Sequence, residues 1–124
     1  MGLIIQNLHY SDNGQVVWSI ITQDMIKKAD AGDGDVDGIT EFIRTIERVE
    51  VSFMIQETNK GNHRINFRSS GNYIINDIAQ SFDGGGHKFA AGARVDDMSI
   101  KQIELKIINK LAEKIIGEFD GYQK

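Results

Sequence analysis

The sequence contains neither cysteine nor proline, and the missing cysteine excludes whole classes of protein. Without thiols the chain can form neither a disulfide framework nor a thiolate zinc site, so nothing points to secretion. No apolar run approaches the ~18 residues that a membrane-spanning helix needs, and the N-terminus lacks the basic and apolar regions of a signal peptide. We therefore expect a cytoplasmic protein that does not use a membrane.

Positive charge is also scarce, because 14 Lys and Arg residues face 18 Asp and Glu residues and the formal net charge is −4. This balance argues against a broad basic surface that neutralises many phosphates of a duplex. A local cluster of donors can still hold a short or small anionic ligand. The length of 124 residues is that of one domain with a core of its own, and we expect a single domain.

The first half of the chain predicts two hairpins and two helices. Residues 3–10 and 15–21 are rich in apolar and β-branched side chains, with the turn sequence SDNG between them. Thr22 is suited to cap a short helix that runs to about Ala29. After a polar loop at 30–38, apolar residues recur at helical spacing over 39–46, and residues 49–57 and 64–68 predict a second hairpin.

The second half predicts three helices and one more strand. Asn76 is a candidate cap for a helix over 77–82, residues 88–92 predict a helix whose small residues at 90–92 can lie close to the sheet, and 93–95 predict a final strand. Ser99 and Gln102 form a capping box before a long helix that runs to about Phe119, with an apolar stripe of Ile100, Ile103, Ile107, Leu111 and Ile115. We expect an α+β fold: one two-layer domain with a mixed, mostly antiparallel sheet of about five strands and helices packed on it.

A loop with three alternating aspartates resembles the first half of a calcium-binding loop. Asp33, Asp35 and Asp37 occupy its first, third and fifth positions, and Gly38 its sixth. The twelfth position, which should be a bidentate glutamate, is Arg44, and an apolar helix is predicted where coordination should continue. We therefore expect a solvated loop that ends in a helix cap.

A run of three glycines before a histidine is the first candidate anion site. Gly84, Gly85 and Gly86 can adopt positive φ without steric cost, so that successive amides converge on one point. A helix starting at or after His87 would add its free amides, and the imidazole would add a side-chain donor. The alternative is a helix terminator and turn with His87 on the surface.

A second donor cluster lies at the end of the preceding hairpin strand. Arg68 alternates with Ile65 and Phe67, so it points away from their apolar face. Its planar fork suits bidentate phosphate binding, and Ser69 and Ser70 can supply hydroxyl and amide donors beside it. If both clusters face one cleft they form a phosphate site; otherwise Arg68 is an exposed cation on an edge strand.

Four short segments together resemble the C-terminal, DHH-associated domain of the DHH-family phosphoesterases. They are FRSSG at 67–71, IAQSF at 78–82, GGGH at 84–87 and AAG at 90–92. Residues 16–25, 38–46 and 49–53 are also similar to the nanoRNase branch, the oligoribonuclease and pAp phosphatases. Related domains occur in cyclic-dinucleotide phosphodiesterases and RecJ-like exonucleases, which remain alternative branches.

The resemblance implies a substrate-binding domain, residues 1–124, of a larger phosphoesterase. In that family an N-terminal domain with an Asp-His-His motif holds two manganese ions and performs the hydrolysis. This sequence has no such motif, and the abrupt start at Met1-Gly2 also suggests a fragment. By this resemblance, Arg68, Ser69, the amides of Gly84 to Gly86 and His87 clamp the phosphate or nucleotide end of a short oligonucleotide.

Further expectations follow from the missing catalytic domain. Alone, the chain should bind substrate without hydrolysing it, its partner should be the DHH catalytic domain, and an uncovered apolar face would favour self-association. Two other functions stay open: a non-enzymatic module that senses a nucleotide or anion, and a purely structural domain. For the structural domain, substitution of His87 and Arg68 should change nothing measurable.

Overall fold

The computed structural model describes residues 8–11, 14–29, 49–59 and 61–115, which form six strands and three helices. The strands are β1 (Leu8–Tyr10), β2 (Val16–Ile21), β3 (Val51–Asn59), β4 (Asn62–Ser69), β5 (Gly85–His87) and β6 (Ala90–Val95). The helices are α1 (Gln23–Ala29), α2 (Asn76–Gln80) and α3 (Ile100–Lys114). None of these helices has the length and apolar character needed to cross a lipid bilayer.

All six strands belong to one sheet in the order β1-β2-β3-β4-β6-β5. The β2–β3 pair is parallel and every other pair is antiparallel. The parallel pair needs a long crossover, and the segment that leaves β2 through α1 provides it. The predicted α+β fold with a mixed, mostly antiparallel sheet is confirmed, with six strands in place of about five.

One face of the sheet carries the core. In β4 the side chains alternate strictly, because His63, Ile65 and Phe67 are buried whereas their neighbours are not. Phe67 contacts Phe53, and Phe53 in turn stacks on Trp18 with ring centroids 5.4 Å apart. Helix α3 covers this face with the apolar stripe that its spacing predicted, consisting of Ile103, Ile107, Leu111 and, just after the helix, Ile115.

The opposite face is open to solvent over β4, β6 and β5. The residues of this open face are Arg64, Asn66 and Arg68 of β4, Ala90, Gly92 and Arg94 of β6, and Gly85 and His87 of β5. Over β2 and β3 the same face is buried, with Val17 and Met54 almost fully covered. The sheet therefore offers a polar surface on one half of its second face.

Two of the three predicted helix caps that lie within the described residues are present. The Thr22 hydroxyl accepts from the amide of Met25 at 3.1 Å, and Ser99 and Gln102 form the reciprocal capping box of α3. Asn76 was wrong as a cap: Ile75 holds that position and makes no side-chain cap hydrogen bond. Its side chain is buried in the core and its amide donates to the Lys88 carbonyl, so tertiary contacts fix where α2 begins.

The predicted helix over residues 88–92 was wrong. Residues 85–95 instead form a hairpin in which β5 pairs antiparallel with β6 across a two-residue turn at Lys88 and Phe89. Small residues allow this pairing, because Gly84 and Gly86 lie against the backbone of β6. Gly85 and Gly86 of the glycine run thus belong to β5, a strand that the sequence did not predict.

Some predictions concern residues outside the described ranges. These are the start of the first strand at 3–7, the aspartate loop with Asp33 and Asp37, the helix over 39–46, and the end of the long helix beyond 115.

Candidate functional site

Arg68 and His87 lie in one row that crosses three adjacent strands. Arg68 is directly opposite Ala90 of β6, and Ala90 is directly opposite His87 of β5. Residues directly opposite each other in antiparallel strands project from the same face. Two strand spacings separate the Arg68 and His87 backbones, roughly 10 Å. The two side chains therefore share the open face, with only the methyl group of Ala90 between them.

The Arg68 side chain lies beside a cavity at the end of β4. The cavity has a volume of about 190 Å³ and is lined by Val49, Glu50, Ser52, Arg68, Ser69 and Ser70. Arg68 is half-buried, and its Nε atom is buried without a hydrogen-bond partner among the described residues. An unpaired buried donor of a permanently charged group is costly unless a ligand or water satisfies it.

Glu50 is a member of this cavity that sequence reasoning missed. Its Oε2 accepts a hydrogen bond from Ser70 Oγ at 2.6 Å and another from Asn72 Nδ2 at 2.7 Å. The Ser70 hydroxyl therefore donates to a carboxylate and not into the cavity. The predicted hairpin could have identified Glu50. Continuing the pairing of β3 with β4 one residue beyond Val51 and Ser69 places Glu50 beside Ser70.

Ser69 remains a possible donor at the same end of β4. Its Oγ accepts from the amide of Gly71 at 3.2 Å, which leaves the hydroxyl hydrogen available. Its own amide donates to the Phe89 carbonyl at 2.9 Å. The structure thus brings Arg68, Ser69 and Ser70 together. The Ser70 hydroxyl donates to Glu50, whereas the Ser69 hydroxyl accepts from Gly71 and keeps its hydrogen for another acceptor.

The amides of the three glycines do not converge on one point. The Gly84 amide donates to the Ala79 carbonyl at 2.9 Å, and Gly85 and Gly86 belong to β5. A Cβ atom on Gly84 would lie 2.2 Å from the Gly92 carbonyl oxygen, which requires glycine there for packing. No helix begins after His87, because residues 88–89 form a turn. The free amides of a first helical turn, which the sequence predicted there, are therefore not available.

The turn after β5 holds His87 in place. The Lys88 carbonyl accepts from the Ile75 amide at 2.8 Å, and the Phe89 carbonyl accepts from Ser69. The turn is therefore tied both to the start of α2 and to the end of β4. The imidazole itself is exposed, so it is positioned by the backbone and free to contact a ligand.

Within the described ranges, no group of three His, Asp or Glu side chains lies close enough to hold a metal ion. These residues therefore do not fit the manganese site that the resemblance implies for a catalytic domain. No chemical step on this chain is assigned to a metal.

The family model of the DHHA1 domain matches residues 13–118. Two curated relatives are a probable bifunctional oligoribonuclease and PAP phosphatase NrnA of Streptococcus mutans, 31% identical over 73% of this chain, and the NrnA of Bacillus subtilis, 30% identical over 76%. The matched regions span only 28% and 29% of those relatives.

Solved structures with a similar fold come from proteins about three times as long. An exopolyphosphatase-related protein of Bacteroides fragilis superimposes with a TM-score of 0.75 at 23% identity, covering 92% of this chain and 33% of that one. The pGpG-specific phosphodiesterase PggH of Vibrio cholerae gives a TM-score of 0.63 at 14% identity, covering 91% and 37%. At these identities the likeness concerns the fold.

Proposed function

This chain belongs to the DHHA1 domain family, the DHH-associated domain of DHH phosphoesterases, and on that premise we propose that it is the substrate-binding domain of such an enzyme. Its ligand is the phosphate-bearing end of a short oligonucleotide or of pAp. The hydrolysis takes place on a separate, manganese-dependent catalytic domain of the parent protein, which the 124 residues do not include.

The observation that carries the proposal is the shared row of Arg68 and His87 on the open face. A guanidinium donates two parallel hydrogen bonds to a phosphate, and an imidazole adds a further donor. The Ala90 methyl group between them leaves space for a phosphoryl group. The buried, unpaired Nε of Arg68 and the cavity beside it also favour a ligand at this end of β4.

The choice of ligand is supported by the relatives. NrnA proteins are named as oligoribonucleases and PAP phosphatases, and this chain is 30% and 31% identical to two of them. The small cavity, about 190 Å³ in volume, favours a terminal phosphate over a long duplex. A net charge of −4 is consistent with a small local site.

Two-dimensional NMR titration of the 124-residue chain with pAp tests the proposal. We expect the amide signals of Arg68, Ser69 and His87 to shift, with a dissociation constant in the micromolar range or weaker, because each charge-assisted hydrogen bond contributes only about 1.5–3 kcal/mol. Arg68→Gln and His87→Ala should each weaken binding about tenfold or more.

The matched control is Lys101→Gln, which removes the same charge from an exposed side chain of α3, on the helix that covers the core face. It should leave pAp binding unchanged. The proposal is wrong if pAp shifts no signal on the open face, or if Arg68→Gln and Lys101→Gln have equal effects.

A further inference from the structure

A pair of arginines lies directly opposite each other on the open face, away from Arg68. Arg64 of β4 is the register partner of Arg94 of β6, and both side chains are exposed. Like charges at directly opposite positions of an antiparallel pair repel each other and disfavour folding. Within the described residues, neither guanidinium has a carboxylate at ion-pair distance. Among the described residues, the sheet therefore holds two positive charges together without an ion-pair partner for either.

Both arginines line one surface groove. Its volume is about 510 Å³, and its other lining residues are Ile65, Asn66, Asp83, Gly84, Gly92 and Ala93. The groove lies at the start of β5, which the chain enters through Asp83 and Gly84, so β6 has no described strand beside Arg94 on that side. Two guanidinium groups, the Asn66 amide and the side-chain-free Gly92 make a concave, donor-rich surface.

We propose that this groove is a second phosphate subsite, which binds an internal phosphate of an oligonucleotide whose end is held at Arg68 and His87. The inference rests on the proposed function and extends it: the ligand is an oligonucleotide with at least two contacted phosphates. A nucleoside bisphosphate such as pAp occupies the first site alone.

The spacing of the two sites sets the length of the ligand. Arg64 and Arg68 are four residues apart on β4, or about 13 Å at the rise of a strand. Along the axis of a stacked strand, which rises ~3.4 Å per nucleotide, that distance corresponds to about four nucleotides. In an extended strand it corresponds to fewer. We therefore expect the second contact to appear within the range of two to five nucleotides.

The surface between the two sites is flat enough for a nucleotide chain. Ala90 and Gly92 carry little or no side chain on β6, and a Cβ atom on Gly85 would meet nothing within 4 Å. Asn66 is the one longer side chain on β4 between the arginines, and its amide can donate to a phosphate or a base. Asp83 places one negative charge on the groove, so its removal should tighten binding.

The test is an NMR titration of the 124-residue chain with pAp and with 5′-phosphorylated oligoadenylates of two, three, four and five nucleotides. For the unmodified chain we expect the affinity to rise about tenfold as the second phosphate reaches the groove, with new shifts at Gly92 and Arg94. In Arg64→Gln/Arg94→Gln this gain should disappear while pAp binding is retained. Asp83→Asn should enlarge the gain, and Lys101→Gln should leave it unchanged.

The salt dependence gives an independent readout for the longest oligonucleotide. The slope of log affinity against log salt concentration is negative. Its magnitude should decrease by about 1 in the double variant, because about one phosphate contact is lost. No gain with length, a gain that survives in the double variant, or an equal loss for pAp and oligonucleotides would overturn the second subsite. Insensitivity of pAp binding to Arg68→Gln would instead overturn the proposed function, so the two failures are distinguishable.

Discussion

A methyl group added at Gly86 tests the role of the glycine run directly. Gly86 has a φ of 137°, a conformation that side-chain-bearing residues rarely adopt, and a Cβ atom there would lie 2.9 Å from the Ala90 carbonyl oxygen and from Ala91 Cα. Strain of this kind costs about 1–3 kcal/mol. Displacement of β6 adds to it, so we expect Gly86→Ala to lower the free energy of unfolding by about 2–4 kcal/mol.

The neighbouring glycine provides a control of identical chemistry. A Cβ atom at Gly85 meets nothing within 4 Å, and the φ of Gly85 is not positive. Gly85→Ala should therefore change the free energy of unfolding by less than about 0.5 kcal/mol. The two variants differ by one position and by nothing in composition.

Urea denaturation followed by tryptophan fluorescence measures both variants, since the single Trp18 lies in the core. With a slope of about 2 kcal/mol per molar urea, Gly86→Ala should lower the midpoint by about 1–2 M, and Gly85→Ala by less than about 0.3 M. Equal midpoints would refute the packing explanation. A Gly86→Ala chain that keeps its stability but loses pAp binding would show that the glycines serve the ligand and not the sheet.

Three other predictions follow from contacts around the site and the core. With Mn²⁺, the 124-residue chain should release neither phosphate from pAp nor AMP from oligoadenylate in a chromatographic assay, because the proposed function assigns hydrolysis to a separate catalytic domain; turnover at enzyme-like rates would contradict the proposed division between domains. Glu50→Gln should tighten pAp binding several-fold by NMR titration, since it removes a negative charge from the cavity of Arg68; weaker binding would mean that Glu50 holds the site in shape. Trp18→Phe should cost about 1–3 kcal/mol in urea denaturation followed by circular dichroism, because Glu104 loses the indole donor at 2.8 Å; an unchanged midpoint would show that Lys101 or water replaces it.

Strong periodicity made most of the sheet predictable. The alternation in β4 indicates the core side of this strand and predicts Arg68 on the other face, as the structure shows. The Ser99 capping box and the stripe of Ile103, Ile107 and Leu111 likewise located α3. These features are local, so a single sequence is enough to find them.

The hairpin of β5 and β6 could not be predicted in the same way. Two alanines at 90–91 have high helix propensity, and no alternation is visible in such a short run of small residues. What decides the structure is pairing with β4, a segment more than twenty residues away in sequence. Because the order β4-β6-β5 depends on these distant contacts, the sequence alone leaves open whether Arg68 and His87 share one face.

The turn at Lys88 and Phe89 is anchored through its carbonyl oxygens alone, one on Ile75 and one on Ser69. Lys88 is exposed, and Phe89 keeps 39% of its surface accessible. The identity of these two amino acids can therefore change while the imidazole before them keeps its place. Backbone hydrogen bonds hold this turn whatever its side chains are. Substitutions at 88 and 89 can therefore change the ligand preference while the sheet stays intact.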